Sequence, residues 1–104
     1  MAGPLSGIKL VEFAGIGPGP FCGMILADLG AEIIRIDRAS QHGQGNTIDL
    51  QHRSKSSISA DCKNPKTIDE IKKLLASVDG LIEGFRPGVM ERLGLGPEEC
   101  LKIN

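Results

Sequence analysis

No charge of one sign dominates this sequence: 12 Lys and Arg stand against 13 Asp and Glu, for a formal net charge of −1. That balance argues against a broad nucleic-acid or membrane-binding surface, although local basic clusters remain open. No apolar run approaches the ~18 residues of a membrane span. The start, Met1 to Gly7, lacks a basic stretch followed by an apolar one, so no secretory signal is expected. Only three cysteines occur, Cys22, Cys62 and Cys100, about 40 residues apart. They make neither a disulfide framework nor a C-x-x-C metal pattern, and a reducing, cytoplasmic compartment of bacterial type is expected. Trp and Tyr are absent, while hydrophobic residues make up 40%, charged residues 24% and Gly 14 positions. This is a globular composition, and 104 residues allow one domain of ordinary size.

Short β-branched runs alternate with helical patterns. Ile8–Phe13, Glu32–Asp37, Ser57–Ala60 and Gly80–Glu83 read as strands. Between the first two, Phe21, Met24, Ile25 and Leu29 fall at helical spacing, and Gly30 stands where a helix would end. Asn64 and Pro65 open a second helix with Ile68, Ile71, Leu75 and Val78 on one stripe. Pro87–Leu93 reads as a short helix, and Pro97 begins the last one. The alternation predicts an α/β fold, a Rossmann-like open parallel sheet of about four short strands with helices. The polar connection from Arg38 to Lys55 exceeds the usual loop length and leaves three readings: a helical turn near 47–51, a binding loop, or an insertion. The last residues follow a helix that a further strand would naturally continue. The chain is therefore read as an incomplete domain, the N-terminal part of a longer protein.

Ligands of open α/β sheets bind outside the carboxyl ends of the strands. There the run Gly15-Ile16-Gly17-Pro18-Gly19-Pro20 offers close backbone approach. It fails the G-x-G-x-x-G dinucleotide pattern in both registers, with Pro20 or Cys22 where the third glycine belongs. Two prolines also remove N–H donors. A dinucleotide site is thus disfavoured, and a plain tight turn stands beside it as an alternative. Arg38, Lys63 and Arg86 each follow a strand, so a parallel sheet gathers them on one edge; Arg53, Lys55 and Arg92 lie nearby in sequence. Phosphates are the natural partner of such a cluster, and solvated surface cations are the bland reading. His42 and His52 read as solvated loop residues, Cys22 as a small buried hydrophobe, and Asp37 and Asp61 as capping acids, with contact to a ribose as the alternative for both. No credible acid–base pair and no metal site emerge from the residues.

Several stretches together resemble the N-terminal signature of the family III CoA-transferases, a group that includes an α-methylacyl-CoA racemase branch. They are Gly7–Glu12 with Gly17–Cys22, Leu26–Arg38, Ala60–Lys63, Glu83–Gly94 and Leu95–Glu99. The resemblance implies a Rossmann-like domain holding the nucleotide end of coenzyme A. It implies CoA-binding roles for Ile16, Arg38, Ala60, Asp61, Cys62, Lys63, Arg86 and Arg92. It further implies that the ligand is an acyl-CoA thioester, as substrate rather than cofactor, and that the full-length protein is an interlocked homodimer. No metal, nucleic-acid or membrane partner is expected. Family members are several times longer, and their catalytic residues lie beyond the stretch matched here. The expectation is therefore the CoA-binding segment of a 2-methylacyl-CoA racemase, inactive alone and without catalytic residues of its own. A CoA-transferase acting between carboxylic acids and a non-catalytic CoA-binding module are the alternatives.

Overall fold

In the computed structural model, which describes residues 3–15, 18–38 and 55–104, the four short apolar runs form one sheet. The strands are β1 (Lys9–Phe13), β2 (Glu32–Arg38), β3 (Lys55–Ala60) and β4 (Gly80–Ile82), in the order β3-β2-β1-β4 and all parallel. The helices are α1 (Pro18–Asp28), α2 (Pro65–Leu75), α3 (Val89–Arg92) and α4 (Pro97–Ile103). The chain steps outward from β1 through β2 to β3, then returns past β1 to β4. That reversal between β1 and β4 is the switch point of an open α/β sheet.

Alternation along β1 assigns the two faces. Val11 and Phe13 join Ile36 and Ala60 in the larger core, against Ile71 and Leu75 of α2 and Met90 and Leu95 from the α3–α4 region. On the other face Ile33 packs with Ala27 and Ala31, with Leu10 and Leu26 at its margin. The expected caps form. Asn64 accepts from the Lys66 N–H at 3.0 Å, with Pro65 in the first turn, and Gly30 adopts φ 107° after α1. Val78 lies past the end of α2 yet is buried in the same core. The Asn104 side-chain amide donates to the Leu75 and Val78 carbonyls (3.1 and 2.7 Å), tying α4 to the end of α2.

Each strand differs from the sequence reading at one boundary: β1 begins at Lys9 rather than Ile8, and β4 ends at Ile82 rather than Glu83. β2 runs one residue further, to Arg38, and β3 begins two residues earlier, at Lys55. Lys55 is drawn in because its ammonium is buried against Glu12, at 2.7 Å, with side-chain exposures of 1% and 0%. The possible helical turn near 47–51, together with His42, His52 and Arg53, lies outside the described residues.

Cys22 is exposed, contrary to the expectation of burial. Helix α1 turns its small residues Gly19, Pro20, Gly23 and Ala27 to the sheet, which leaves Phe21, Cys22, Ile25 and Leu29 facing outward. The small residues are required because Glu12 occupies the space beneath: a Cβ on Gly23 would run into Glu12 Oε1. Gly23→Ala is accordingly expected to cost about 1–3 kcal/mol, as overpacked sites do. A denaturant melt measures it, and an unchanged midpoint would mean that α1 does not press on Glu12. Cys100 differs from Cys22. Its thiol donates to the Leu95 carbonyl (3.2 Å), and burial, reinforced by the Glu99 carboxylate and only partly offset by Lys72, pushes its pKa up. A raised pKa means less thiolate near neutrality, so iodoacetamide at neutral pH should label Cys22 well before Cys100. Peptide mass spectrometry reads the order, and equal rates would contradict this burial.

Candidate functional site

A cavity of about 580 Å³ opens at the carboxyl edge of the sheet. The ends of three strands and the turns after them build it: Phe13 at the end of β1 and Ala14 after it, Ile36 and Asp37 in β2, and Ala60, Asp61, Cys62 and Lys63 at the end of β3 and just beyond. Phe85, Val89 and Leu93 close it from the segment that follows β4. Phe85 meets the Phe13 ring edge-on, with centroids 6.0 Å apart. The floor is therefore apolar, and polarity is confined to one rim, as is usual for small-molecule sites.

The polar rim has a defined shape. Asp61 Oδ1 accepts from the Lys63 N–H (3.0 Å), and the Asp61 carbonyl accepts from the Asn64 N–H (3.0 Å). Asp61 is thus the turn-capping acid expected from sequence, and its turn leads directly to the cap of α2. Asp37 is not a cap. It is buried, it pairs with the Arg35 guanidinium at 2.9 Å, and it accepts from the Ser57 hydroxyl at 2.8 Å. The reason is geometric: β3 runs beside β2 in register, so Ser57 and Arg35 reach the Asp37 carboxylate before solvent does.

Among the residues singled out from sequence, Ala60, Asp61, Cys62 and Lys63 line this cavity. Arg86 and Arg92 are exposed and outside the lining, but each adjoins a lining residue, Phe85 or Leu93. Arg38 ends β2, its backbone paired with Ala60. Arg38, Lys63 and Arg86 therefore belong to the same carboxyl edge, spread over a sheet whose strands sit ~4.8 Å apart. Ile16 lies outside the described residues. Lys55 leaves the cationic set altogether, because Glu12 and the Pro20 carbonyl (2.7 and 3.1 Å) take its ammonium. The sequence reading does not find the apolar wall of Phe13, Phe85, Val89 and Leu93; the hint it offers is that Phe13 closes β1 and Phe85 follows β4.

No group of three or more His, Cys, Asp or Glu among the described residues is placed to hold a metal ion. No helix among them is long and apolar enough to cross a membrane. The arrangement offers an apolar slot bordered by the Ala60–Lys63 turn, with carboxylates and flanking cations. It can hold a ligand that is apolar in one part and anionic in another.

Known proteins resemble this chain over nearly its whole length. Alpha-methylacyl-CoA racemase of Mus musculus is 44% identical over 100 residues, covering 96% of this chain and 25% of that protein. Succinyl-CoA--D-citramalate CoA-transferase of Chloroflexus aurantiacus is 36% identical over 113 residues, covering 97% of this chain and 28% of that protein. The crystal structure of a CAIB/BAIF family protein from Brucella suis superposes with a TM-score of 0.85 at 33% identity, over all of this chain and 32% of that one. The chain thus spans about a quarter of the length of the curated relatives it matches. The sequence model described as CoA-transferase family III matches residues 5–104, nearly the whole chain, and the chain belongs to that family.

Proposed function

We propose that this chain forms the coenzyme A-binding segment of a 2-methylacyl-CoA racemase, with the nucleotide end of the thioester seated at the carboxyl-edge cavity. The observation that carries the reading is the coincidence at that edge. The Ala60–Lys63 turn lines an apolar cavity, and Arg38 and Arg86 end or follow the neighbouring strands. In this reading Arg38, Lys63, Arg86 and Arg92 meet the phosphates, Ala60, Asp61 and Cys62 border the adenosine, and Ile16 lies beside the ligand. Guanidinium and ammonium groups suit phosphate because they supply several charge-assisted donors. The chain supplies binding only. Racemisation needs a base on one face of the α-carbon, an acid on the other, and stabilisation of the enolate oxygen. None of the groups at the cavity fills those roles, so the chemistry belongs to other parts of an interlocked homodimer, and the 104 residues alone are inactive.

The racemase reading is favoured by the 44% identity to the mouse racemase; the 36% identity to a CoA-transferase supports the alternative, transfer of CoA between carboxylic acids. Incubating the full-length protein with a single epimer of a 2-methylacyl-CoA in D2O separates them. Racemisation inserts deuterium at the α-carbon and produces both epimers, seen by NMR. Acceptor-dependent loss of the thioester without α-exchange would establish the transferase instead. Within the site, Arg38→Ala is expected to weaken CoA binding by about 1.5–3 kcal/mol, the worth of a charge-assisted contact. Calorimetric titration measures it, and an unchanged affinity would remove Arg38 from the phosphate set.

A further inference from the structure

Glu12 and Lys55 form a fully buried ion pair between β1 and the start of β3, with a second bond from Lys55 to the Pro20 carbonyl in the first turn of α1. The other carboxylate oxygen, Glu12 Oε2, is buried without a partner among the described residues. Such a pair is a poor way to gain stability, since apolar residues of similar size commonly do as well or better. What apolar residues cannot do is fix direction. Lys55 pins a single backbone carbonyl, and that carbonyl sets where α1 begins.

A continuous line of contacts leads from this clasp to the cavity. Gly19, next to Pro20, packs against Gly84: a Cβ on it would sit in ordinary contact with the Gly84 nitrogen, at 3.7 Å. Gly84 precedes Phe85, whose ring lies against Phe13 and forms part of the cavity wall. Phe13 in turn follows Glu12. We propose that Lys55 and Glu12 are positioning residues. By holding the first turn of α1 they set the Gly19–Gly84 contact, and through it the Phe85 wall against which the ligand packs. The affinity consequence rests on the reading that this cavity takes CoA; the positional claim does not.

The test compares the near-isosteric double variant Glu12→Met/Lys55→Met with Ile33→Val, a buried change on the same face of the sheet but off this line of contacts. Hydrogen–deuterium exchange of the full-length protein, read by mass spectrometry, should show peptides covering 82–88 exchanging several-fold faster in the double variant and unchanged in Ile33→Val. CoA affinity should fall roughly fivefold in the double variant alone, within the range of indirect couplings. Unchanged exchange over 82–88, with changes confined to 12–22, would overturn the proposal and leave the pair as a local support of α1. Should the double variant fail to fold, Gly19→Phe, whose ring needs more room than the contact between α1 and the Gly84 segment leaves and which keeps the ion pair intact, must produce the same faster exchange over 82–88, and its absence would likewise overturn the proposal. If the parent protein binds no CoA, the proposed function falls, while the exchange result still decides the positioning role.

Discussion

Replacing Lys55 alone with Met is expected to lower the stability of the protein by about 3–5 kcal/mol, because it strands a buried carboxylate. Glu12 is 0% exposed, and one of its oxygens already lacks a partner among the described residues. Without the ammonium, the other oxygen loses its 2.7 Å bond, and Gly23 presses on it from above. No other described side chain bonds this carboxylate, so it must either take up a proton or push α1 away. The double variant that also removes the charge of Glu12 should recover most of this loss. Urea melts of the single and double variants measure both numbers. A single variant within about 1 kcal/mol of the parent would mean that the pair is solvated, against the burial described here.

The second large effect is expected at Leu95. Its side chain is 1% exposed and packs in the main core with Val11, Met90 and Leu75. It also marks the turn from α3 to α4, where its N–H donates to the Met90 carbonyl and its own carbonyl accepts from Cys100. Truncation to Ala removes buried methyl groups and opens a void, at a cost of about 2–5 kcal/mol. Leu101 supplies the contrast: it lies on α4 but is 76% exposed, so Leu101→Ala should stay within about 0.5 kcal/mol of the parent. Thermal melts of the two variants test the pair. Equal losses would contradict the burial of Leu95 in the main core and the exposure of Leu101.

The elements legible from sequence are those with a local cause. Alternating apolar runs mark β1 and β2, and Asn64, Pro65 and Gly30 mark helix ends by the chemistry of unpaired N–H groups and positive φ. The place of Lys63 at the carboxyl edge was reachable because strand ends in a parallel sheet share an edge, whatever the pairing order, whereas Ala60, Asp61 and Cys62 came only from the family resemblance. What was not legible depended on partners far along the chain. Glu12 and Lys55 are separated by 43 positions, and nothing local tells a buried acid in a strand from a solvent-facing one. The early start of β3 follows from that pair, so it was missed as well. Asp37 was misread for a similar reason, since Ser57, its partner, lies 20 positions away. Cys22 was misplaced because helical spacing gave an apolar stripe, whereas close approach over Glu12 selects the small residues Gly19, Gly23 and Ala27 for the inner face. The aromatic wall followed the same rule: Phe13 and Phe85 meet only once β4 has been laid beside β1.

The direct measurement is calorimetric titration of the protein with coenzyme A and, separately, with NADH. Saturable binding of coenzyme A, weakened by Arg38→Ala and by a matching Lys63→Ala, is the result expected if the carboxyl-edge cavity holds the nucleotide end of an acyl-CoA. Saturable NADH binding with no heat from coenzyme A would contradict it and return this sheet to the dinucleotide-binding class.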